Sequence, residues 1–125
     1  MWTWWFAVGS ILSALSIGVG AFGAHALKGR LTPDDQAIFE TATKYLTSQS
    51  MGLVLLALLM SRLDGMALKI AAFAMTFGIL IFSGSLYGIV WSGIRWLGAL
   101  TPIGGALMIA AWLLAAWAAM SAHWA

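Results

Sequence analysis

The chain has 125 residues, 62% hydrophobic and 8% charged, where a soluble domain of ordinary composition carries roughly 25% charged residues. A soluble chain this short exposes much of its surface and must coat it with polar groups. Six Lys and Arg with four Asp and Glu cannot do that, so the solvent that fits is lipid. The net charge of +2 is scattered over Lys28, Arg30, Lys44, Arg62, Lys69 and Arg95, which leaves no clustered basic patch for nucleic acid. The chain has no cysteine, which excludes disulfides, thiolate nucleophiles and Cys-ligated metal centres.

The first helix is expected over about 2–26, long enough to cross a hydrocarbon core of about 30 Å. Met1–Phe6 contains no Lys or Arg and is a poor signal-peptide start, so this helix reads as retained. Gly9, Ser13, Ser16, Gly20 and Gly23 fall at spacings of four, three, four and three. They put small residues on one face, where a neighbouring helix can pack closely. The letters of Gly18-Val-Gly-Ala-Phe-Gly23 match a dinucleotide fingerprint, but no strand precedes them and the match carries no meaning.

Thr32-Pro33-Asp34-Asp35 makes a helix start: threonine caps, proline suits the first helical position, and acids favour the positive end of the dipole. A second helix over about 33–62 is too long for the hydrocarbon alone. Its clean apolar run, Met51–Met60, is too short to span. To cross, it must take Thr43, Tyr45, Thr47, Ser48, Gln49 and Ser50 into the membrane or its boundary, where polar groups need partners. A tight turn at Ser61–Gly65 leads to a third helix over about 66–91, with Gly84, Gly88 and Ser92 at four-residue spacing as a second close-packing stripe. Ser92–Arg95 breaks it, and Trp96–Leu100 reads as a short interfacial segment. Thr101-Pro102 repeats the cap-and-proline start for a fourth helix over about 102–122. The fold class is all-α, an integral membrane bundle of four transmembrane helices in a single domain spanning residues 1–125.

Tryptophan, which collects at membrane–water boundaries, supports an even number of crossings. Trp2, Trp4, Trp5 and Trp124 fit one boundary, and Trp91 and Trp96 the other. The distribution of Lys and Arg leans towards cytoplasmic loops after the first and third helices, with both termini outside.

Few residues could carry chemistry. Tyr45 and Gln49, four apart, share a helical face. With Glu40, Ser83, Ser85 and Tyr87 they form a candidate polar site between the second and third helices, set against the plainer reading of interhelical hydrogen bonds. Glu40 and Lys44 have the spacing of a helical ion pair. Arg95 is placed to pair with Glu40, Asp34 or Asp35, or to reach headgroups. His25 reads as an interfacial residue at a helix C-terminus, and His123 as surface. No hydrolase elbow, phosphate loop or paired-His motif occurs, so the reading has no catalytic residue, no metal and no cofactor.

Four blocks, Gly20-Ala-Phe-Gly-Ala-His-Ala-Leu-Lys28, Phe39-Glu-Thr-Ala-Thr-Lys-Tyr45, Phe82-Ser-Gly-Ser-Leu-Tyr87 and Arg95-Trp-Leu-Gly-Ala-Leu-Thr-Pro-Ile-Gly-Gly105, resemble the domain of unknown function 423 family. These are small bacterial membrane proteins related to the eukaryotic transmembrane protein 256. The resemblance implies four membrane helices, a bacterial inner (cell) membrane, and no established activity. One departure stands out. Family members usually carry a histidine a turn after the tyrosine of the second block, where this chain has Gln49-Ser50-Met51. Glutamine keeps hydrogen bonding there but cannot titrate.

Two functions follow as expectations. One is a non-enzymatic structural or accessory subunit that associates with itself or with another membrane protein through small-residue faces. The other is binding or transport of a small solute, ion or lipid headgroup at the site between helices two and three.

Overall fold

The computed structural model describes residues 1–122, so the positions expected for His123 and Trp124 lie outside the described residues. Four long helices follow one another: α1 over Trp2–His25, α2 over Pro33–Met60, α3 over Met66–Ser92 and α4 over Thr101–Ser121. A single 3-10 turn, Arg95–Ala99, sits between the last two. Three stretches, Trp2–His25, Met66–Ser92 and Arg95–Ser121, are long and apolar enough to cross a membrane. The 28-residue α2 has the length, but its first half is polar.

The start of α2 forms as its residues dictate. Thr32 accepts a hydrogen bond from the Asp35 backbone N–H at 3.2 Å, Pro33 follows it, and Asp34 and Asp35 occupy the first turn. The start of α4 does not repeat this arrangement. Leu100 is already helical, and the chain runs from the 3-10 turn into the α-helix without the extended residue a side-chain cap requires. The Thr101 hydroxyl turns instead to Ser85 of α3 at 2.6 Å. At the end of α3, Gly93 adopts φ +73°, the left-handed stop that glycine enters without penalty.

Helices adjacent in sequence pack together, α1 on α2, α2 on α3 and α3 on α4. Trp5 closes the first against the third, its ring edge-on to Phe73 at 4.7 Å. It is therefore buried, while Trp2 and Trp4 are exposed at the same end. Leu53, Leu68, Met75 and Ile79 fill the core.

The α1 stripe does what its spacing suggests within the chain. An added Cβ at Gly9 would lie 2.8 Å from Val54 and 3.1 Å from the Ser50 carbonyl, and one at Gly23 would enter the Phe39 ring. A Cβ at Gly20 would stand 3.6 Å from the Thr43 methyl. Ser13 meets Ser50 at 3.2 Å, and Ser16 is buried, bonded to the Ser13 carbonyl. The α3 stripe packs differently from the expectation within the chain. Gly84 is exposed with open space before it, and Gly88 meets only Leu97 of the 3-10 turn. The close approach of α3 and α4 is made by Gly78 and Gly104. A Cβ on Gly104 would stand 2.5 Å from the Phe82 nitrogen and 2.8 Å from the Gly78 carbonyl. Gly78 precedes Gly84 by six positions, which at 100° per residue is a different face of the helix.

Candidate functional site on the second helix

The polar side chains of α2 sort by the direction in which each one faces. One group turns into the bundle and joins helices. Thr43 donates to the Phe39 carbonyl at 3.0 Å, so the Tyr87 hydroxyl, 2.7 Å away, donates to Thr43. Ser83 of α3 donates to the Ala42 carbonyl at 2.8 Å. Ser50 is fully buried and bonded to the Thr47 carbonyl at 3.1 Å beside Ser13. Each of these contacts gives a hydroxyl a partner within the bundle. Ser83, Ser85 and Tyr87 are therefore points of helix-to-helix contact, with Ser85 directed to α4.

A second group faces α3 and α4. Tyr45 and Gln49 line a groove of about 270 Å³ with Phe82, Gly105, Met108, Ile109 and Trp112. The Tyr45 ring lies 4.7 Å from Phe82. The Trp112 indole N–H donates to Gln49 Oε1 at 2.7 Å, and Gln49 Nε2 donates to Ser48 at 3.3 Å.

The third group faces α1, and Glu40 belongs to it. A larger groove of about 450 Å³ is lined by Gly20, Gly23 and Ala24 of α1 and by Gln36, Phe39, Glu40, Thr43, Lys44, Thr47 and Ser48 of α2. The expected convergence of Glu40 with Tyr45 and Gln49 does not occur, because four residues of helix do not separate Glu40 and Tyr45 but five do, and the two side chains point to opposite flanks of α2. The Glu40–Lys44 ion pair is also not made. Glu40 Oε1 accepts from Gln36 Nε2 at 3.1 Å, and the ion pair among the described residues is Arg95 with Asp35, also at 3.1 Å. Arg95 thereby ties the α3–α4 connection to the start of α2. His25 lies exposed in the last turn of α1. Among the described residues no three His, Asp or Glu side chains are placed to hold a metal ion.

The groove-lining row Gln36, Glu40, Lys44 and Ser48 advances by four residues at each step. That spacing is a one-face signal, and it marks residues that the Tyr45–Gln49 pair drew attention away from. The groove has one carboxylate and one ammonium on its α2 side, and an α1 wall so low, through Gly20, Gly23 and Ala24, that it opens sideways from the bundle.

Residues 19–105 match the family described as protein of unknown function (DUF423), a span that contains this groove whole. The chain is similar to a UPF0382 membrane protein of Staphylococcus epidermidis, 40% identical over 107 residues that cover 86% of this chain and 87% of the relative. It is 38% identical over 107 residues to one of Staphylococcus haemolyticus, covering 86% and 87%. To the UPF0382 membrane protein YwdK of Bacillus subtilis it is 37% identical over 108 residues, covering 86% and 88%. No solved structure matches. With a matched span of that length, relatives named as bacterial membrane proteins and three helices apolar enough to cross a bilayer, the chain belongs to the DUF423 family of membrane proteins.

Proposed function

We propose that this protein is a non-enzymatic binding module of the bacterial membrane in which α2 makes a fourth crossing and its outward polar row holds a ligand taken in sideways from the bilayer. Support for the crossing comes from register. Gly23 lies against Phe39, Gly20 against Thr43, Ser13 against Ser50 and Gly9 against Val54. Residues 39–54 of α2 therefore run antiparallel to a stretch of α1 that is apolar enough to span.

The observation that carries the reading is the depth of the row. Counted back from the exposed Arg62 just past the far end of α2, a hydrocarbon core of about 30 Å reaches to about Ala42 along the helix. Gln36 and Glu40 therefore stand at the headgroup level, Lys44 at the hydrocarbon edge and Ser48 just inside it. Lysine can snorkel the short distance outward. A row of amide, carboxylate, ammonium and hydroxyl groups facing lipid across that boundary needs polar partners, and a polar occupant of the groove supplies them. One acid and one base on an open groove suit recognition. Nothing about them forms a nucleophile with its base.

The test is native mass spectrometry of the tagged protein, extracted in mild detergent. The expected result is a retained non-covalent mass that disappears in the Glu40→Leu, Lys44→Leu double variant. A bare chain whose spectrum matches that of the variant would overturn the reading.

A second reading, an accessory subunit or homo-oligomer, is favoured by Gly84. It places a side-chain-free spot on the outer face of α3 with open space before it, where another helix can approach closely. Here Gly84→Leu is expected to reduce particle mass or release a co-purifying chain. An unchanged particle would remove this reading.

A further inference from the structure

We propose that the groove between α1 and α2 holds a zwitterionic glycerophospholipid whose headgroup ends in a primary amine, with the ammonium on Glu40 and the phosphate on Lys44. This assignment rests on the reading of α2 as a crossing helix with a ligand-facing row, and it names the ligand of that row.

The argument is one of order and spacing along the membrane normal. From the loop end inward, the α2 side of the groove presents an amide and a carboxylate (Gln36, Glu40), then an ammonium (Lys44), then two hydroxyls (Thr47, Ser48). Past these, the outward face continues with exposed Met51, Leu55 and Leu58. An aminophospholipid presents the complementary sequence from water inward: ammonium, phosphate, glycerol esters, acyl chains. Successive members of the row are about 6 Å apart along the helix, which is the scale on which amine, phosphate and ester follow one another in such a lipid. The reverse order, base outermost and acid beneath, would place the phosphate against a carboxylate.

Chemistry narrows the headgroup further. Gln36 engages one oxygen of Glu40 and leaves Oε2 to accept from the ligand. A primary ammonium has three N–H donors for that position, whereas a quaternary ammonium has none. Lys44 makes no ion pair among the described residues, and a charge-assisted bond to a phosphate oxygen is the strong partner for an ammonium at this depth. An anionic headgroup without an amine would satisfy Lys44 but leave Glu40 facing added negative charge. On the opposite wall, Gly20 and Ala24 present almost no side chain at the level of Glu40 and Lys44, which leaves room beside them for the headgroup.

The experiment is native mass spectrometry of the purified chain titrated with phosphatidylethanolamine, phosphatidylcholine and phosphatidylglycerol of matched acyl chains. Phosphatidylethanolamine adducts are expected to exceed the other two by about tenfold at equal concentration, a difference of about 1.4 kcal/mol. Glu40→Gln should abolish the preference over phosphatidylcholine, and Lys44→Gln should weaken all three adducts. Both side chains are exposed, and unchanged helical circular dichroism would confirm that the variants fold. Equal binding of the three lipids, or a preference that survives Glu40→Gln, overturns the assignment. If the extracted protein retains a different ligand that depends on the row, the assignment falls and the binding-module reading stands. If no adduct of any kind forms, both fall.

Discussion

Gln49 lies midway along α2, and both ends of its amide are engaged, Oε1 by the Trp112 indole at 2.7 Å and Nε2 by Ser48 at 3.3 Å. The oxygen is the member that matters, because an indole N–H has no second way to bond. Gln49→Leu is expected to cost about 0.6 kcal/mol, the mean for interhelical hydrogen bonds in a membrane bundle. In a double-mutant cycle with Trp112→Phe most of that should appear as coupling; additive losses would mean the bond contributes nothing. Gly52 shows the other half of the same contact. A Cβ there would stand 2.5 Å from the Trp112 ring, so the indole is seated on bare backbone while its nitrogen reaches Gln49. The position where the family resemblance implies a histidine thus holds a residue whose oxygen accepts a hydrogen bond from Trp112, which needs no titrating group.

Between elements, the α3–α4 contact should be the least forgiving. At Gly104 the obstacles to a side chain are a backbone nitrogen and a backbone carbonyl, which cannot rotate away as a side chain would. Gly104→Ala is expected to destabilise the bundle by about 2 kcal/mol, within the range for overpacking. Gly84→Leu should leave the monomer's stability nearly unchanged, and a comparison of detergent-unfolding midpoints checks both. The Arg95–Asp35 pair should matter far less. The arginine is 60% exposed, and Arg95→Ala is expected to cost no more than about 1 kcal/mol, less as salt is added. This contrast explains what could be read from the residues beforehand. Helix positions were legible because runs of apolar residues, Pro33 with its threonine cap, and Gly93 act locally. Whether Gly78 or the Gly84–Gly88 row of α3 meets α4 depends on the rotation of one helix against another, and spacing alone carries no information about that. The polar site failed for the same reason: Glu40 and Tyr45 are near in sequence yet face different neighbours. The i+4 row from Gln36 to Ser48 was visible, but only the placement of α1 turned it into one side of a groove.

For the molecule as a whole, the number of crossings can be tested directly, since a chain without cysteine gives no background to thiol labelling. Lys28→Cys and Asp64→Cys are expected on opposite sides of the membrane. With the termini outside, an impermeant maleimide should label the second in intact cells and the first only after permeabilisation. Labelling of both from one side would remove α2 as a crossing, while the reversed pattern would keep it and invert the orientation. The packing of Gly9, Ser13 and Gly23 against α2 also bears on how the protein is made. A segment with the charge and hydroxyl content of α2 has little tendency to partition into lipid by itself. α1 emerges from the ribosome first, apolar enough to enter alone, and offers α2 a fitted surface that covers Phe39, Thr43 and Ser50. In the proposed four-crossing arrangement, insertion is a two-helix event, with the first helix acting as the assembly template for the second. Filling the α1 notches, for example with Gly9→Leu and Gly23→Leu, should strand α2 at the membrane surface during synthesis even though α1 itself has become more hydrophobic.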